Sequence, residues 1–173
     1  MITAREKLDL TSEENKVIYS LGTSVREKEH FKKLLMEFNL EIIADVRRFP
    51  KSRLPYFCKD KLSSMLMENK IGYIYLGKIL GGFREKGYQE YTRTEDFHQG
   101  LEELKKVAQD KRTAFMCAER FPWRCHRRFI ARALEKQGWR VVHIIDEGKT
   151  WEAKVKNQTQ KKKKKSESLS LPI

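Results

Sequence analysis

The 173-residue chain holds three cysteines, Cys58, Cys117 and Cys125. So few thiols, and an odd number of them, argue against a disulfide scaffold and for reduced cysteines. No stretch approaches the ~20 apolar residues needed to span a bilayer, so no membrane partner is expected. Residues Met1 to Asn15 lack the apolar core of a secretory signal. These absences lead us to expect a cytoplasmic protein. There is no internal repeat. The length suits one domain with a real core and is too short for two comfortable ones.

Charge is what the chain has in excess, with a formal net charge of +13. From Lys149 to Ile173 eight lysines face only Glu152 and Glu167. The rest of the excess belongs to the body. A basic body with a basic tail suits a polyanionic partner such as nucleic acid. It equally suits a solubilising surface with a disordered tail, and composition alone does not separate the two.

Residues 1–15 read as a loose arm, 16–146 as the folded domain, and 147–173 as a basic, disordered tail. Within the domain, Val17–Leu21 reads as a first strand. Ser24-Val25-Arg26-Glu27 fits a capping box opening a helix with Phe31, Leu34, Leu35 and Phe38 inward. Strands are expected at Glu41–Val46, Ile71–Leu76, Arg112–Cys117 and Trp139–Ile145. Helices are expected at Lys59–Asn69, after Thr94, and from Cys125 to Gln137, the last stopped by Gly138. Residues Gly77 to Tyr91 read as a long loop or lid. Alternating strands and helices predict an α/β fold, a three-layer sandwich around a mainly parallel five-stranded sheet.

In such a sheet, ligands bind where the C-terminal ends of the strands gather. The unusual residues of this chain fall at those ends. Gly22 and Ser24 follow the first strand. Asp45, Arg47, Ser52 and Arg53 follow the second. Gly81 and Gly82 follow the third. Cys117-Ala118-Glu119-Arg120-Phe121-Pro122-Trp123-Arg124-Cys125-His126-Arg127-Arg128 follows the fourth.

Cys117 is the nucleophile candidate, favoured as a thiolate by neighbouring arginines and a helix N-terminus. It equally fits a buried core position. Glu119 and Asp45 are the acid/base candidates, and Asp45 alternatively orients Arg47. Arg47, Arg53 and Arg127 suit bidentate contact with phosphate or carboxylate. Cys125 and His126 stand where a helix would offer free amides to an anion. Gly81 and Gly82 permit close approach of the backbone to a ligand. A phosphate cradle of the form Cys-x₅-Arg fails by one residue, because Trp123 occupies the sixth position after Cys117. The spacing of Cys117, Cys125, His126 and His143 matches no common zinc pattern, so no metal site is expected.

Taken together, Tyr19–Ser24, Asp45–Arg53, Leu80-Gly81-Gly82, Cys117–Arg127 and Val142-His143-Ile144 resemble the domain-of-unknown-function family 488, over roughly Val17 to Ile144. The resemblance implies a compact α/β domain with a common site. It brings no established activity and no cofactor. The family's first motif usually carries a His after the Gly, where this chain has Thr23.

The leading expectation is an enzyme-like domain binding an anionic, phosphate-bearing ligand, a nucleotide or nucleic acid, at the C-terminal edge of the sheet. A non-catalytic nucleic-acid-binding module and a thiol redox or sulfur-transfer protein are the alternatives.

Overall fold

The structure, a computed structural model, describes residues 16–154. The expected arm and the tail from residue 155 onward lie outside the described residues.

Strands β1 (Val17–Gly22), β2 (Ile42–Asp45), β3 (Gly72–Tyr75), β4 (Thr113–Cys117) and β5 (Arg140–Asp146) pair in parallel, and β6 (Lys149–Trp151) adds antiparallel to β5. The order across the sheet is β3-β2-β4-β1-β5-β6. Four helices cover it: α1 (Lys28–Glu37) and α2 (Lys59–Glu68), then α5 (Glu95–Asp110) and α6 (Arg127–Lys136). Two single-turn helices, α3 (Gly77–Leu80) and α4 (Tyr88–Tyr91), lie between β3 and α5.

The core is split by the sheet into two clusters. Phe31, Leu34, Leu35, Leu62, Met65 and Leu66 of α1 and α2 pack on Leu21, Ile43 and Met116. Phe97, Leu101, Leu104, Ile130, Ala131 and Leu134 of α5 and α6 pack on Ile18, Ala44, Phe115 and Cys117. Two helical layers on opposite faces make the three-layer sandwich. The topology requires this arrangement. The chain moves one way across the sheet from β1 through β3 and the other way from β3 through β5. Right-handed crossovers then put the two helix pairs on opposite faces. β4 is buried along its whole length because it is central and covered on both sides.

Four local expectations need correcting. The sheet has six strands. Glu147-Gly148, with Gly148 at φ +60°, makes a two-residue turn that brings back Lys149–Trp151. Those three residues are exposed and show no apolar alternation that would mark a strand. The capping box does not form: Ser24 takes φ +49°, and α1 begins later with no side-chain cap. The last helix begins at Arg127, because Pro122–Arg124 forms a separate 3₁₀ turn ahead of it. The segment 77–91 holds α3 and α4 where a loop was expected. The cap on α5 does form, with Thr94 Oγ1 accepting from the Phe97 amide. Among the described residues no helix is long and apolar enough to cross a membrane.

Candidate active site

The exits of β1 and β2 lead to the α1–α2 face, and the exit of β4, which lies between them, leads to α6. Neighbouring strands whose connections part to opposite faces open a crevice at their C-terminal ends. Gly22 is in register with Cys117, and Asp45 with Met116. The β1 turn is laced to the β4 loop: the Thr23 amide donates to Cys117 O at 2.9 Å and the Ser24 amide to Ala118 O at 2.8 Å. Gly22 cannot carry a side chain, since a Cβ there would stand 2.1 Å from Glu119 O.

Of three buried arginines at this edge, Arg26 ties Gly22 O to Ile145 O, and Arg47 and Arg127 stand one on each face of the sheet. On the α1–α2 side, the Asp45 carboxylate accepts from Arg47 N, Nε and Nη2 at 3.0, 2.9 and 2.6 Å and from the Tyr73 hydroxyl at 2.8 Å. Arg47 Nη1 donates to Phe57 O at 2.7 Å. Asp45 is wholly buried and its lone pairs are taken.

On the α5–α6 side, Arg127 is 0 % exposed although it opens a helix. Its Nη1 donates to Ser20 Oγ at 2.8 Å, and Ser20 Oγ pairs with His143 Nδ1 at 2.8 Å. Its Nη2 donates to the carbonyls of Glu119 and Arg120. Its Nε–H is shared between Cys117 Sγ at 3.1 Å and Cys125 Sγ at 3.4 Å. The two sulfurs lie 3.3 Å apart and are not bonded.

The sulfurs divide one charge unequally. Cys117 is the deeper of the two. Its hydrogen bond to Cys125, and then its burial, push its thiol well above the usual range. Cys125 is pulled down to about 6, first by accepting that hydrogen bond and then by the Arg127 charge, with burial opposing. The two thiols therefore titrate as one unit, the lowered value falling on the more exposed sulfur, with a guanidinium in reach of both. Arg127 stays protonated against the cost of its burial because the two sulfurs face it.

His126 donates through Nε2 to the Val46 carbonyl at 2.9 Å. Burial, with the Arg127 charge adding to it, draws the His126 imidazole down to about 4, so it is neutral and its free lone pair is on Nδ1. A Cβ on Gly82 would come within 3.1 Å of that nitrogen, and one on Gly81 within 2.2 Å of Gly77 O. Both glycines are thus needed for packing at this edge. Cys117, Cys125 and His126 each bring one ligand atom within 4.8 Å of the others, a set able to hold a metal ion. His143, turned toward Ser20, is not in it.

A cleft of about 470 Å³ opens onto the thiols. Of the residues expected in the site, it brings together Arg47, Gly82, Cys117, Glu119, Cys125 and His126. Gly22, Ser24, Asp45, Ser52, Arg53, Gly81 and Arg127 do not line it. Ser52 caps its own turn by accepting from the Leu54 amide, and Arg53 is exposed away from the cleft. Arg48, Arg124, Arg128, Phe49, Phe83 and Tyr88 complete the walls.

Phe49 and Phe83 are 65 % and 88 % exposed, and Phe83 holds φ +58°. A bulky side chain in the left-handed region and in open solvent is rare. Sequence reasoning missed this aromatic pair, which the Arg-Phe dipeptide at 48–49 and the Phe directly after Gly81-Gly82 could have marked. Nothing in the sequence marked Ser20 as the partner of Arg127. A larger groove of about 680 Å³, lined by residues of α4, α5 and α6, holds no thiol or carboxylate.

Thr23, standing where the family motif usually has His, is buried and contributes its amide to the β4 loop. Neither a curated protein nor a solved structure matches the chain. A family model does match, over residues 27–134, more than half of the chain and including Asp45–Arg53 and Cys117–Arg127. The protein belongs to the family described as Domain of unknown function DUF488.

Proposed function

We propose that this is a thiol-dependent enzyme acting on an anionic ligand, with Cys125 as the attacking sulfur and Cys117 as its partner. One observation carries the reading: two unbonded sulfurs at the wall of an open cleft, 3.3 Å apart, share the Nε–H of a fully buried arginine behind them. A guanidinium fixed beside a thiolate keeps it ionised, and the second thiol within reach can resolve what the first forms.

The chemistry that fits is thiol exchange. Cys125 S⁻ attacks a sulfur of a substrate R–S–S–R′, forms Cys125–S–S–R and expels R′S⁻. Cys117 then passes its proton to a leaving thiolate and attacks Cys125 Sγ. RS⁻ departs and a Cys117–Cys125 disulfide remains. The substrate gains two electrons, the protein loses two, and an external dithiol reductant restores the pair.

Arg48, Arg124 and Arg128 are the cleft groups available to a phosphate or carboxylate on that substrate. Arg47 and Arg127 are committed to internal partners. Asp45 becomes a positioning residue in this reading, and Glu119, whose Oε1 accepts from the Phe121 amide, remains the carboxylate facing the cleft.

Iodoacetamide labelling read by mass spectrometry tests this. Cys125 should label at neutral pH faster than Cys117 and Cys58, and phosphate should slow it. Slow labelling of Cys125 in the native protein removes the thiol chemistry. A binding module for single-stranded nucleic acid is then the better reading. The observation favouring it is the exposed Phe49–Phe83 pair, with ring centroids 6.2 Å apart and arginines around it. Such a pair suits base stacking.

A further inference from the structure

The residues at the floor of the cleft also meet the requirements of a metal site. We infer that Cys117, Cys125 and His126 form a three-coordinate site for a monovalent thiophilic ion, copper(I), entered from the cleft. This goes beyond the thiol-exchange reading and stands without it.

The donor set is the first argument. One sulfur from each cysteine and one ring nitrogen of His126 lie within 4.8 Å of one another. Thiolates select soft ions, copper(I) and zinc among them, and imidazole suits both. Orientation is the second. A metal-bound histidine generally donates its other ring N–H to a carbonyl or carboxylate, which fixes the tautomer and frees the ligating lone pair. The Nε2 bond of His126 to the Val46 carbonyl, at 2.9 Å, is such an arrangement. Nδ1 is turned toward Gly82, where a side chain would crowd it, a Cβ there standing 3.1 Å away. Access is the third, since Gly82, Cys117, Cys125 and His126 all line the same open cleft.

Charge then decides which ion. Arg127 is fully buried and donates to both sulfurs. Two thiolates beside one guanidinium leave a deficit of one positive charge. A monovalent ion makes the buried assembly neutral, whereas a divalent ion leaves an uncompensated charge where desolvation is costly. The Arg127 N–H can remain on a metal-bound sulfur, as outer hydrogen bonds to thiolate ligands do. Both thiols bind deprotonated, so loading releases protons. At a metal–sulfur distance of ~2.3 Å and three-coordinate angles the sulfurs must part by roughly 0.7 Å from their present 3.3 Å. Cys125 can supply that movement, because it sits in extended backbone between the 3₁₀ turn and α6.

The test uses the full chain carrying Cys58→Ser, reduced and loaded anaerobically with copper(I) against a chromophoric copper(I) chelator. One ion per chain should be retained. X-ray absorption should show two sulfurs and one nitrogen. His126→Gln should lower the affinity by about tenfold or more, while the metal-free Cys125 is still alkylated faster than Cys117. Two sulfurs with no nitrogen in the spectrum, or an affinity unchanged by His126→Gln, overturns the site. Zinc(II) taken up in its place and not displaced by copper(I) overturns the charge argument. The spectrum is read on protein with His126 intact, so it decides even if His126→Gln misfolds. The alkylation rate keeps failure of the metal site distinct from failure of the thiol reading.

Discussion

Asp45–Arg47 and Arg127–Cys117–Cys125 stand on opposite faces of one sheet edge, and each is built around a buried arginine. The partner differs. Asp45 is a small, hard anion with every lone pair occupied, sealed between Arg47 and Tyr73. The sulfurs are large and polarisable, one can take up a proton, and Cys125 reaches the cleft. A guanidinium paired with a fully bonded carboxylate is architecture. The same guanidinium beside two sulfurs that keep unused valence is the reactive centre we propose. Arginine content alone does not tell the two apart; the partner and its access to solvent do.

The largest expected effect breaks the first pair. Arg47→Met strands a wholly buried carboxylate, and we expect a loss of about 3–5 kcal/mol in urea unfolding. Asp45→Leu combined with Arg47→Met should recover much of it, since no charge is then left buried. A double variant no more stable than Arg47→Met alone would show that the cost lies in lost hydrogen bonds to the loop.

Arg127→Met should cost less, about 1–3 kcal/mol, because Cys125 can protonate when its counter-charge goes, although Ser20 and two carbonyls lose a donor. A loss equal to that of Arg47→Met would erase the distinction between the two faces.

The third expectation sharpens the comparison through pH. Cys125 titrates at about 6 in the folded protein. Its alkylation rate should rise with pH through that value and level off near neutrality. In Arg127→Met the rise should move to higher pH, since the thiolate loses its cation. A rate still climbing steeply above pH 8 in the unsubstituted protein would contradict a lowered thiol.

The smallest effect concerns His126. Its folded value, about 4, is below the ordinary histidine value, so between the two the unfolded chain binds the extra proton. Stability is complete above the ordinary value of about 6.5 and falls as pH drops toward 4. His126→Gln should flatten part of that slope in urea midpoints measured from pH 7 to 4.5. An unchanged slope would place the acid sensitivity elsewhere, with His143, drawn down by burial to about 3, the next residue to substitute.

Strand order along the chain, the two helix pairs and the gathering of Gly22, Asp45, Gly81 and Cys117 at one edge were legible in the sequence. Each rests on periodicity or on position after an apolar run. What was not legible depended on through-space partners. Arg47 and Arg127 read as ligands for an external anion, with an internal partner, Asp45, offered as the alternative for Arg47 alone; both turn inward, because the spacing of an arginine does not say which way its side chain turns. Cys125 read as a helix opener; Pro122 ended that possibility by nucleating its own turn three residues earlier. Its closeness to Cys117 follows from how the Glu119–Arg124 loop folds back. β6 went unseen because three exposed residues after Gly148 carry no hydrophobic signal.

The place of β4 in the sheet bears on how the site comes into being. β4 is the fourth strand made, yet it fills the gap between the first and the second, pairing with both. Until Thr113–Cys117 are made, β1 and β2 lack the strand that pairs with both of them in the folded domain. The β4 pairings join residues far apart in the chain, the kind that form slowly and late. Arg127 comes later still, and Ser20, its anchor, waits on β1 from the beginning. Cys117, Cys125 and Arg127 are therefore brought together only as the domain closes, and a chain that stops short of Arg127 lacks the guanidinium that faces both sulfurs.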